Sequence, residues 1–106
     1  MPYTFSCKSR SKFLQPVITA IKQQRQDLMS GKQIAIQLES EEGYNDEYEC
    51  KVNPKTSFVT ANFDYKDVTR FPARIKAAAI ALCIEGFDGT FDISHCSGLV
   101  TIKRRP

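Results

Sequence analysis

Ala77-Ala78-Ala79-Ile80-Ala81-Leu82-Cys83-Ile84, closed by Glu85-Gly86-Phe87, is the stretch that decides how this chain folds. It is too short to cross a bilayer, which takes roughly 18 to 20 apolar residues. It is also too apolar for a helix with one solvated side. Phe71, Ile75, Ala78, Ala79 and Leu82 mark one helical stripe, and Ala77, Ile80, Ala81 and Ile84 mark another. A helix apolar nearly all round must be covered on two sides. One cover is expected to be a sheet, the other the first helix of the chain or a second copy of it. The helix is predicted to start near Thr69 as N-cap, with Pro72 inside the first turn. Gly86 supplies the stop, and Phe87 is placed to fold back on the last turn.

Downstream, Phe91 to Arg105 tests its own register. If Ser97-Gly98 is a two-residue turn, Cys96 faces Leu99, Ile93 faces Ile102 and Asp92 faces Lys103. Phe91, Ile93, His95, Val100 and Ile102 then share one face, while Asp92 with Lys103 and Ser94 with Thr101 pair on the other. A single assumption produces both an apolar face and a charge pair, so a closing hairpin is predicted.

Upstream, Leu14, Val17, Ile18, Ile21, Leu28 and Met29 recur at helical spacing between Ser11 and Ser30, with Pro16 in the first turn and Gly31 as the stop. Ile34, Ile36 and Leu38 alternate with polar positions, which predicts a strand with one buried side. Ser40 to Asp46 reads as a polar loop. Tyr48, Cys50 and Val52 give a second half-buried strand, and Asn53-Pro54-Lys55 a turn. A third strand is expected near Ser57 to Tyr65, with Val59, Ala61, Phe63 and Tyr65 inward. Short connections favour an antiparallel meander of these three. The expectation is a single α+β domain over residues 1–106, with 1–10 as a strand-like or loose lead-in. An antiparallel sheet of about five strands packs on two helices, in the order α-β-β-β-α-β-β.

The chain has 106 residues, 42% of them apolar and 25% charged, the balance of one globular core. Met1 to Lys8 lacks the charged-then-apolar layout of a secretion signal, which sets the expectation of an intracellular, cytoplasmic protein with no membrane partner. Cys7, Cys50, Cys83 and Cys96 show no metal-ligand spacing. Two disulfides are formally allowed, but small buried hydrophobes are the favoured reading of the four. The net charge of +3 is unevenly spread. Lys8, Arg10, Lys12, Lys22, Arg25 and Lys32 make the first third basic, Glu39, Glu41, Glu42, Asp46, Glu47 and Glu49 form an acidic block, and the end returns to basic.

Little in the chain points to catalysis, a cofactor or a metal. His95 is the single histidine, and Cys96 beside it on a strand points to the opposite face, so the two do not form a base and nucleophile pair. The acidic block lacks an EF-hand pattern and contains no histidine. Gly86-Phe87-Asp88-Gly89 follows a helix and leads into a strand, the reverse of a dinucleotide site. The expectation is a protein that is not an enzyme.

What remains is a set of basic residues. Arg70, Arg74 and Lys76 lie at the start of the alanine-rich helix, where the helix N-terminus itself favours anions. Lys8, Arg10 and Lys12, with Lys103, Arg104 and Arg105, add two basic ends. These nine residues are the predicted phosphate contacts of a small nucleic-acid-binding or nuclease-accessory domain, for DNA or RNA. The alternative is a protein-interaction module (a regulator, inhibitor or dimeric adaptor), working through the apolar helix, the hairpin edge or the acidic loop. Over about residues 11 to 86 the layout of helix, three strands and helix resembles the double-stranded RNA-binding domain, and Arg74-Ile75-Lys76-Ala77-Ala78-Ala79 is similar in outline to the start of that family's second helix. The chain departs from the family at Asn53-Pro54-Lys55, at Arg70-Phe71-Pro72-Ala73-Arg74, and in its extra hairpin.

Overall fold

In the computed structural model, residues 2–8, 11–38, 45–62 and 72–106 are described. They form β1 (Pro2–Ser6), α1 (Leu14–Gln23), α2 (Arg25–Met29), β2 (Ile34–Gln37), β3 (Asn45–Asn53), β4 (Phe58–Asn62), α3 (Ala73–Ile84), β5 (Gly89–Cys96) and β6 (Leu99–Arg104). The class is α+β with an antiparallel sheet, as expected. Among the described residues the sheet has six strands and there are three helices. The extra strand is β1, drawn from the expected lead-in. The extra helix arises because the first helix is interrupted at Gln24.

The hairpin has the register that its sequence demands. Cys96 pairs with Leu99, Ser94 with Thr101, Ile93 with Ile102 and Asp92 with Lys103. The turn puts Ser97 at φ 47° and Gly98 at φ 87°, the doubly left-handed geometry that matches strand twist.

The expected meander is corrected. The sheet order is β1-β4-β3-β5-β6-β2, so β2 lies on the far edge against β6 rather than beside β3. Ile34 and Ile36 do face inward, but they extend the hairpin's apolar face beside Ile102 and Val100. The helix, meander and helix layout that suggested the double-stranded RNA-binding domain is therefore absent. Because every pairing is antiparallel, β1, β3 and β6 run one way and β4, β5 and β2 the other.

Both helix stops work as the sequence implies. The Gly86 N–H donates to the Cys83 carbonyl at 3.1 Å and the Phe87 N–H to the Leu82 carbonyl at 3.0 Å, a Schellman closure. Gly86 can take its φ of 82° without a Cβ penalty. The Lys32 and Gly31 N–H groups close α2 in the same way on Asp27 and Leu28. At the other end, α3 starts later than predicted. Pro72 is its N-cap, with ψ 132°, and Thr69 and Phe71 lie outside the described residues. Pro16 does sit in the first turn of α1.

The core shows why the alanines are there. Ala77, Ala78, Ala79 and Ala81 are each 0% exposed, as are Ile75, Ile80 and Leu82. The small side chains let the α3 backbone sit close on β3, β4, β5 and β6, while α1 packs along its other side through Val17, Ile18 and Ile21. Both covers belong to the same chain, so the apolar excess of α3 needs no second copy. A Leu at Ala78 would push the helix off the sheet at a cost of about 1–3 kcal/mol. Met29, expected inward, is half exposed instead.

The cysteine reading is also corrected. Cys7 and Cys83 form a disulfide across 76 positions, with Cα atoms 6.4 Å apart, tying the end of β1 to the last turn of α3. Cys50 is buried as expected, whereas Cys96 is exposed.

Candidate nucleic-acid interface

The described predicted basic residues fall into two groups. At the end where α1 and α3 both begin, the Arg74 guanidinium lies 4.3 Å from the centre of the Phe13 ring and Lys12 Nζ lies 5.2 Å from it. Lys76 Nζ reaches over the Phe5 ring at 5.9 Å. Arg74 was expected in solvent, yet it is 3% exposed, with its guanidinium on the Phe13 ring. Arg10 and Arg70 lie outside the described residues.

The second group is larger. β1 and β6 run in the same direction, so Lys8, which follows β1, and Arg104, which closes β6, arrive at the same end of the sheet. The β3–β4 turn, carrying Lys55, and Lys32, just before β2, lie at that end too. The Cys7 N–H donates to the Ser57 carbonyl at 3.0 Å, which fixes Lys8 beside the turn. The turn is shaped by Asn53, whose Oδ1 accepts the Lys55 N–H at 3.1 Å and whose carbonyl accepts the Thr56 hydroxyl at 3.2 Å. Lys8, Lys55 and Lys32 are exposed, and Arg104 is half-buried.

One face of the sheet is covered by the helices. Among the described residues no helix covers the other, the open face, which is mostly polar: Thr4, Thr60, Lys51 and Thr90 form one row across it, and Glu49, Asp92 and Lys103 belong to the next. Arg105, one of the predicted phosphate contacts, is engaged within the sheet. Its Nε donates to Asp92 Oδ1 at 2.9 Å and to Oδ2 at 3.0 Å, Nη2 lies 2.8 Å from Oδ1, and Nη1 lies 3.1 Å from Glu49 Oε2. The hydrogen bonds to Asp92 first, then Glu49, hold its pKa above the usual arginine value. A guanidinium so engaged neutralises two carboxylates on the open face instead of waiting for a phosphate. Lys103 remains exposed opposite Asp92, as predicted.

Phe58 is an exposed aromatic that the basic-residue pattern does not include. It is 51% exposed on the open face, at the first position of β4, next to Ser6 and Asn53 in register. The signal was present: with Val59 and Ala61 inward, the alternation of a strand sends Phe58 outward. Lys51 and Lys55 belong to β3 and the turn after it, and the β1–β4 pairing brings Lys8 beside them.

His95 and Cys50 are both buried. His95 is 3% exposed, and its Nε2 accepts the Gly98 N–H at 3.0 Å, bracing the turn. Burial first, then the neighbouring Asp92 and Glu49, pushes the Cys50 thiol up to about 12, so it stays protonated and inert at neutral pH. Among the described residues no group of three His, Cys, Asp or Glu side chains could hold a metal ion. Glu39, Glu41 and Glu42 lie outside them, and the expected loop ends earlier than Asp46, whose backbone belongs to β3. Among the described residues no helix is long and apolar enough to cross a membrane. No family model, no curated protein and no solved structure matches the chain.

Proposed function

We propose that this chain is a small nucleic-acid-binding or nuclease-accessory domain that does no chemistry of its own. Its phosphate contacts are Lys8, Lys55, Arg104 and the flanking Lys32 and Lys103. The observation that supports the reading is the shared direction of β1 and β6, which brings Lys8 and Arg104 to the end of the sheet that carries the β3–β4 turn. Lysines and arginines on one end of a compact body make a sequence-tolerant, salt-sensitive contact with a polyanion.

Fluorescence anisotropy with a labelled oligonucleotide over a salt series tests it. Affinity should fall linearly with the logarithm of salt, with a slope of about 0.7 to 0.9 per phosphate neutralised. The combined Lys8→Ala, Lys55→Ala and Arg104→Ala variant should flatten that slope. An absence of binding at low salt, or a slope unmoved by the triple variant, sinks the reading. In a reducing compartment, thiol reductants act on a disulfide such as Cys7–Cys83. Binding is therefore to be measured with and without a dithiol.

A protein partner, or a second copy of the chain, is the other reading. Met29 at 50% and Ile84 at 48% exposure, at the ends of α2 and α3, are its apolar anchors. Light scattering on the pure protein separates the second-copy case, since α3 itself is already enclosed.

A further inference from the structure

Resting on the basic-end reading above, we infer that the adjoining corner of the open sheet face takes unpaired rather than duplex nucleic acid, with Phe58 as the platform for a base. Phe58 is 51% exposed in the middle of this corner, and the residues beside it in register are the short Ser6 and Asn53. Small polar neighbours leave the ring open to a flat partner. Lys8 continues from Ser6 on one side, Lys55 stands in the turn leading to Phe58, and Lys51 projects from the same sheet face. Lys51 pairs with Thr60, two residues along β4 and one strand over. By strand spacing that is about 8 Å from Phe58 between Cα atoms, within reach of the phosphate of a nucleotide stacked on the ring.

Charge selects the same occupant. Among the described residues, the carboxylates nearest on this face, Glu49 and Asp92, are both engaged by Arg105, which leaves Lys8, Lys51 and Lys55 as the charges around the ring. An aromatic ring among ammonium groups suits a base with its phosphate. Bases inside a duplex are already stacked on each other and have no free face for a side-chain ring on a sheet, so the ligand must offer unpaired bases.

The experiment compares anisotropy of a labelled oligothymidylate and an oligouridylate of about 12 nucleotides, within the usual site sizes, with a duplex of equal length. Expected are tighter binding of at least one single strand, by about tenfold over duplex, and a loss of about 5- to 100-fold for Phe58→Ala. Phe58→Trp should restore binding, and the salt slope of Phe58→Ala should match wild type, since the ring carries no charge. Phe58 is exposed, so the thermal midpoint of the Ala variant should stay close to wild type and certify a folded protein. Phe58→Ala binding like wild type, or duplex binding as tightly as single strands, while the Lys8, Lys55 and Arg104 variant still loses affinity, overturns this inference and leaves the basic-end reading standing. Failure of every oligonucleotide to bind overturns both.

Discussion

The Arg74 guanidinium lies 4.3 Å from the centre of the Phe13 ring and joins the first turns of two helices that run side by side in the same direction. At the other end of the pair, Arg25 Nη1 donates to the Glu85 carbonyl at 3.1 Å and its guanidinium lies 4.6 Å from the Phe87 ring. An arginine on an aromatic ring therefore clasps each end of the α1–α3 contact. Desolvated cation–π pairs and a buried stem together contribute on the order of 1–3 kcal/mol. Arg74→Ala should lower the urea midpoint by a corresponding amount while leaving nucleic-acid affinity per folded molecule unchanged. A loss of affinity without loss of stability would return Arg74 to the binding surface.

The disulfide makes a separate prediction. It fastens the edge strand β1 to α3 and closes a long loop, since Cys7 and Cys83 are 76 positions apart. Removing such a crosslink typically costs about 2–4 kcal/mol. Cys7→Ser with Cys83→Ser, or a dithiol, should lower the unfolding midpoint, and amide exchange should quicken first in β1 and along the β4 edge it covers. Thiol counting gives an independent check. Cys96 alone should react in the native protein, Cys50 should join it on unfolding, and all four should react after reduction. A native protein in which Cys7 reacts as readily as Cys96 would contradict the crosslink.

How much of this was legible in the sequence depends on whether each pattern was local. The hairpin could be read because Asp92 with Lys103 and Ile93 with Ile102 constrain each other across a two-residue turn. The inward sets Ile34, Ile36 and Leu38, and Tyr48, Cys50 and Val52, followed from alternation. The partner of β2 did not, because an apolar face says which side is buried and nothing about which strand lies next. The burial of Arg74 had a signal that was overlooked: it shares a helical stripe with Ala78 and Ala81, one and two turns on, whose small side chains leave room for a long stem. The engagement of Arg105 needed the β3–β5 pairing, which sets Glu49 opposite Asp92. Two carboxylates side by side on adjacent strands repel, and the last arginine of the chain lies where it can relieve them.

Cys50 gives the molecule a built-in alkaline sensitivity. Its thiol is raised from 9.0 to about 12, chiefly by burial and then by Asp92 and Glu49. A group whose folded value lies above its unfolded one holds its proton more tightly when folded. Its contribution to stability is thus complete below about pH 9 and is lost as pH rises from there toward 12. The unfolding midpoint should fall more steeply above pH 9 in wild type than in Cys50→Ala. The comparison is of slopes, since the small cavity left by Ala lowers stability equally at every pH. Parallel slopes would show that the thiol ionises as easily folded as unfolded.

The turn at Ser97-Gly98 predicts a stabilising change. Ser97 is held at φ 47°, in the left-handed region that serine tolerates poorly, while Gly98 at φ 87° is at ease there. Asn is the side chain best suited to the first position of this turn, so Ser97→Asn should raise stability by about 0.5–1 kcal/mol. Gly98→Ala forces a Cβ into the same region and should cost about 1–2 kcal/mol, with more added if the Gly98 N–H draws away from His95 Nε2, its acceptor at 3.0 Å. Urea midpoints for the two variants should move in opposite directions. Because the hairpin sets the register on which β2 and β3 both pair, the Gly98→Ala loss should appear as faster amide exchange in β2 and β6 together, and a loss confined to the turn would show that the two strands hold their register without it.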